Sequence, residues 1–157
     1  MSIFGRLRVN AMIYETLLIG LLLAVLFIEV FGLYPGGIIV PAYMALYIDN
    51  PVRILVTVIV ALVALFLYRL LSRFFILFGK RRFVMFIVLG ALLAQLWAFV
   101  LPQFFSDPIG LKAIGWIIPG LLANNLERQK IVPTLASLVT VAVATYVIVG
   151  LLVWIGL

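Results

Sequence analysis

The chain has 157 residues, of which 68% are hydrophobic and 10% charged, with 11 Lys and Arg against five Asp and Glu. Soluble domains are about half apolar and a quarter charged, so this chain cannot cover a water-facing surface and reads as an integral membrane protein. It holds no histidine and no cysteine, which excludes disulfides and His- or Cys-based nucleophiles and leaves only carboxylates as side-chain metal ligands, an unusual set for zinc. The net charge of +6 reads first as membrane topology rather than as nucleic-acid binding, because basic residues gather on cytoplasmic loops and beside anionic headgroups.

The segment Met1 to Ala11 carries Arg6 and Arg8 and leads into an apolar run, as a secretory leader does. Glu29-Val30-Phe31 stands where a small-residue cleavage site would be needed, so the run is expected to remain as a first span, about Met12 to Phe31. About 20 helical residues cross the hydrocarbon core. A second span is expected from Pro51 to about Leu71, with Asn50 placed to cap it and Pro51 suited to its first position. A third falls within Phe83 to Ser106 and a fourth within Ile131 to Leu157.

Two apolar stretches remain, Leu33 to Ile48 and about Ile114 to Leu126. Gly36, Gly37 and Pro41 interrupt the first, and Gly115, Pro119 and Gly120 the second. Pro and Gly weaken a helix, and irregular backbone at membrane depth survives only where protein or a wet cavity receives it. These stretches are short and broken, so re-entrant or half-helical segments are expected, with two ordinary kinked spans as the plainer alternative. The fold class is therefore all-α, with about four membrane helices and two broken segments in a single membrane domain.

The halves resemble each other. Gly37-Ile38-Ile39-Val40-Pro41-Ala42 matches Gly115-Trp116-Ile117-Ile118-Pro119-Gly120 at an offset of 78, which also pairs Asp49 with Glu127 and Tyr68 with Tyr146. Gly20 to Leu26 matches Gly90 to Leu96 at an offset of 70, so about eight extra residues are placed around Gln103 to Pro108. A two-fold internal repeat is expected, with repeat one over about 12–72 and repeat two over about 83–157. Charge leaves the orientation open. Re-entrant segments would put the N-terminus on the cytoplasmic side with the central basic stretch. Fully spanning ones would invert the halves and move Arg128 and Lys130 to that side instead. The shortness of the broken segments favours the re-entrant arrangement.

Two groups of residues could carry function. Arg69 and Arg73 lie on one helical face, and Lys80, Arg81 and Arg82 follow; this strip over about 69–82 could anchor anionic lipid or dock a cytoplasmic partner or an anionic polymer, since guanidinium binds carboxylates in a bidentate way. Gly36, Gly37, Pro41, Gly115, Pro119 and Gly120 could leave amide groups and helix amino-ends facing an anion, or could simply permit close packing. Asn124, with Asn125, and Asp49-Asn50 add polar atoms at matched places. Glu29, at the end of the first span, could pair with an arginine or bond the freed backbone near Gly36 and Gly37.

The order Glu29 with Gly32, Pro35 to Tyr43, Asn50-Pro51-Val52, Gly79 to Phe83 and Gly115 to Asn124 resembles the PgsC/CapC capsule-biosynthesis family, the small membrane subunit of bacterial poly-γ-glutamate synthase. The likeness covers nearly the whole chain from about Ile13. Ala42 stands where the family has Gly, Trp116 where a small or aliphatic residue is usual, and the N-terminal extension is longer. The resemblance implies a complex with a cytoplasmic ATP-dependent amide ligase of PgsB/CapB type and an accessory PgsA/CapA-type subunit. Together they would make and export a polyanion across a bacterial cytoplasmic membrane. ATP and Mg²⁺ would belong to the ligase; this chain would carry no cofactor and no catalytic residue. Two other readings stand beside it: an independent small anion transporter or channel, and a purely structural anchor. Self-association is left open.

Overall fold

The computed structural model describes residues 3–74, 79–100 and 114–155, with side chains from Ile13 onward. The described residues form six helices and no strand: α1 (Ile3–Phe31), α2 (Val40–Leu46), α3 (Pro51–Leu71), α4 (Lys80–Val100), α5 (Ile118–Gln129) and α6 (Ile131–Ile155). Four of them, α1 from Ile13, α3, α4 and α6, are long and apolar enough to cross a membrane. The expected spans are present. Pro51 opens α3, where its missing N–H costs no hydrogen bond. Asn50 precedes it, but its side chain makes no capping bond. The third span begins three residues before Phe83, so Lys80, Arg81 and Arg82 are its first turn rather than a loop. The extra residues placed around Gln103 to Pro108 lie outside the described residues.

Side-chain contacts fix the directions. Pro41 and Pro119 sit in the first turns of α2 and α5. α1 and α6 run antiparallel, since Ile13 and Thr16 lie with Val149 and Val153 while Phe27 and Phe31 lie with Thr140 and Val141. α3 and α4 do the same, with Tyr68 on Phe86 and Val60 near Trp97. Asp49, at the end of the first broken segment, lies with Ile13 and Val153. Tyr34, at its beginning, bonds Gln129, beside Glu127 and its partner Arg69. The first broken segment therefore runs from one end of the bundle to the other, and so does the second, from Ile114 beside Thr57 to Glu127 beside Arg69.

This corrects the preference for re-entrant loops. α2 has seven residues and rises only about 10 Å, but residues 32–39 precede it and 47–50 follow it in non-helical backbone. Helix and flanking chain together reach across, as the contacts of Tyr34 at one end and Asp49 at the other require. The halves consequently run in opposite directions, with α1 and α4 antiparallel to each other. One end of the bundle, hereafter the basic end, carries Arg69, Arg73, Lys80, Arg81, Arg82, Arg128 and Lys130; α1 starts from the opposite end.

Packing corresponds between the halves. α1 packs on α2 and α6 as α4 packs on α5 and α3, and α2 meets α6 as α5 meets α3. The buried residues of α4, Phe86, Gly90 and Ala94, stand 70 positions after buried Thr16, Gly20 and Ala24. Those of α2 recur in α5 at 78. All six buried residues of α6 lie 77 positions after buried residues of α3. The one-residue change separates Tyr68 from Tyr146, matched in sequence: Tyr68 is buried against Phe86, and Tyr146 is exposed.

Candidate functional site

The closest backbone approaches are made by glycines. A Cβ on Gly90 would lie 2.4 Å from the amide nitrogen of Gly120, and one on Gly120 would lie 2.4 Å from the carbonyl oxygen of Phe86. In the other half a Cβ on Gly20 would lie 2.6 Å from the Cβ of Ala42. Small residues let membrane helices touch backbone to backbone, and each short helix is held against its long neighbour in this way. Gly36, Gly37 and Gly115 have φ of 75°, 113° and 65°, values that side-chain-bearing residues seldom adopt. Of the predicted residues, Gly36, Gly37 and Gly115 lie in the non-helical backbone before the two short helices, Pro41 and Pro119 in the first turns of those helices, and Gly120 at the backbone contact with α4.

The broken segments meet through α5. The Asn125 side-chain amide donates to the carbonyl of Gly36 at 3.0 Å and to that of Leu121 at 2.9 Å, within a buried environment. One turn further on, Gln129 donates to the Tyr34 carbonyl at 2.9 Å and accepts from the Tyr34 amide at 3.1 Å. The Arg128 guanidinium sits 5.6 Å from the centre of the Tyr34 ring. The Thr57 hydroxyl accepts from the Ile114 amide at 2.8 Å and donates to the Arg53 carbonyl at 2.7 Å. Backbone freed by Gly and Pro is thereby satisfied by protein, as membrane depth requires. Leu122 and Leu138 close over Gly36, so side chains fill the space between the segments.

Glu29 does not join this junction. It is exposed at the end of α1 and makes no ion pair among the described residues, while the bond to Gly36 that it could have made is made by Asn125. Asn124 is buried, and its Oδ1 has no partner among the described residues. Asn125, the residue that does the joining, stood beside Asn124 as a matched polar position; both are buried, and sequence alone cannot tell which of two adjacent amides reaches the Gly36 carbonyl.

At the basic end, Arg69 Nε donates to Glu127 at 2.9 Å across exposed to part-buried surface. Arg73, Lys80 and Arg81 are exposed, and Arg82 is half-buried with no partner for its Nε among the described residues. Lys80, Arg81 and Arg82 fill the first turn of α4, where the helix dipole favours anions. Three cations there raise the helix's own energy and draw anionic groups to this face. Phe75 to Phe78, which continue the strip, lie outside the described residues. Among those residues no cluster of three carboxylates could hold a metal ion.

Four helices long and apolar enough to cross a membrane, with two short helices packed among them, give the chain the architecture of a helical membrane protein. Residues 19–135 match the family described as "Capsule biosynthesis CapC", and the chain belongs to that family. It is 34% identical over 137 residues to "PGA biosynthesis protein CapC" of Bacillus subtilis (strain 168), covering 87% of this chain and 92% of that protein. It is 31% identical over 140 residues to "Capsule biosynthesis protein CapC" of Bacillus anthracis, covering 88% and 94%. No solved structure matches the chain.

Proposed function

We propose that the chain is the membrane subunit of a poly-γ-glutamate synthase, built as an inverted repeat, with its basic end in the cytoplasm of a bacterial cell. The observation that carries this reading, beside family membership, is the gathering of basic residues from both halves at one end. Arg69, Arg73, Lys80, Arg81 and Arg82 are joined there by Arg128 and Lys130 of the second half. This asymmetry orients the bundle by the positive-inside rule. It also offers guanidinium groups to a polycarboxylate or to an acidic face of the ATP-dependent ligase. ATP and Mg²⁺ act on that ligase. An accessory subunit completes the complex, and the polymer passes between subunits rather than through the filled junction of this chain.

Membranes carrying the whole complex, with Arg81→Gln and Arg82→Gln together, are expected to make several-fold less polymer from glutamate and ATP and to retain less ligase. Unchanged output with unchanged ligase content overturns the assignment of this strip. Transport of an anion by the purified chain alone, in vesicles, favours the independent transporter.

A further inference from the structure

At the end opposite the basic strip, α1, α2 and α6 surround a cavity of about 440 Å³ lined by Ile13, Leu46, Asp49, Tyr146, Val149 and Val153, among others. Its floor includes Thr16. The correspondence between the halves shows what fills the same place at the basic end. Thr16 corresponds to Phe86, whose buried ring lies 4.2 Å from that of Tyr68; Thr145, the counterpart of Tyr68, is itself buried and does not line the cavity. Asp49 corresponds to Glu127 and Tyr146 to Arg69. Thus Tyr146 donates to Asp49 at 3.2 Å where Arg69 donates to Glu127 at 2.9 Å. One end holds a carboxylate, a guanidinium and two tilted rings in contact. The other holds a carboxylate, a phenol and a void, and Asp49 meets no cation among the described residues.

We propose that this void is the docking site for a membrane helix of a partner protein, one that inserts an aromatic side chain and brings a Lys or Arg beside it to Asp49. The filled half supplies the template: Tyr68 and Arg69 are adjacent on α3 and deliver ring and cation together. Asp49 is exposed and is held by the Tyr146 hydroxyl, which leaves its negative charge available to the cation of the incoming helix. The surrounding Ile13, Leu46, Val149 and Val153 receive the apolar body of that helix. A lipid amine could bring the charge but not the ring, so a protein helix fits the site better.

The test is photo-cross-linking in membranes that contain the complete complex, with p-benzoylphenylalanine in place of Val153 or, separately, Ile13. The expected adduct is to a membrane helix of a different polypeptide, at a residue within one turn of a Lys or Arg. Its yield should fall about tenfold on Asp49→Lys. It should fall comparably on Thr16→Phe, which puts into the cavity the ring that its counterpart Phe86 carries. Even elution of the variants as single species in mild detergent reports their folding. Adducts confined to phospholipid or to a second copy of this chain, no adduct at all, or a yield unmoved by a folded variant each overturn the proposal.

Discussion

Gly120→Ala is the most direct test of how the short helices are held. The new methyl would stand 2.4 Å from the Phe86 carbonyl oxygen and 2.8 Å from Ile87 Cα. Ordinary contact begins at 3.4 Å, so α4 and α5 must part by about 1 Å, and the obstacle is backbone that cannot rotate away. A gap of that size forfeits about a quarter to a half of each dispersion contact across the interface, and overpacking of this kind costs about 1–3 kcal/mol. The same change at Gly150, where nothing lies within 4 Å, should stay within about 0.5 kcal/mol. Unfolding in mixed detergent, followed by circular dichroism, measures both. Gly20→Ala adds a control, because its nearest obstacle is the Ala42 methyl at 2.6 Å. Ala42→Gly should recover part of that loss, about 1 kcal/mol of coupling. Were Gly120→Ala as stable as Gly150→Ala, the reading of α4–α5 as a backbone contact would be wrong.

Further outcomes follow from the same geometry. Asn125→Leu should cost about 1–3 kcal/mol by stripping buried carbonyls of their donor, and Asn125→Asp should cost more, since it sets an acceptor against two acceptors; thermal unfolding in detergent compares them. Arg69→Gln should cost under about 1 kcal/mol, because the Arg69 side chain is 58% exposed, and Arg69→Glu with Glu127→Arg should be near neutral in the same assay. Because the chain holds no cysteine, Asn50→Cys and Ser72→Cys can each be labelled alone in intact cells with a membrane-impermeant maleimide. Asn50→Cys should react from outside and Ser72→Cys only after lysis; equal reaction of both would contradict the end-to-end course of α3.

Much of the architecture could be read from residue order. Spans announce themselves because each needs about 20 consecutive apolar residues, and Pro51, Pro41 and Pro119 mark helix starts by simple stereochemistry. The course of the broken segments was harder to read. A length rule calibrated on helical rise does not apply to residues 32–39, which are non-helical and turn at Gly36 and Gly37. The one-residue change between α3 and α6 was hidden for a different reason. α6 carries no charge, and its hydroxyl residues stand on both sides, Thr134, Ser137 and Thr145 inward and Thr140 outward, so no charged face marks which positions turn outward, and Tyr146 could be matched to Tyr68 although it faces outward. At the junction, acidic Glu29 drew attention as a costly charge, yet a neutral amide at Asn125 satisfies the backbone without the cost of burying an ion.

Opposed halves have a consequence for biogenesis. A bundle whose two ends are built alike offers the insertion machinery almost the same shape whichever way it enters the bilayer. Direction is then decided by a small surplus of lysine and arginine at one end, not by the helices themselves. Moving two or three of those charges, for example from positions 80–82 to the residues around Asn50, would produce a mixed population in which some molecules face the wrong compartment while remaining fully folded. With the orientation proposed above, the basic strip would act as an address as well as a surface, and its loss would show as misplacement before it showed as instability.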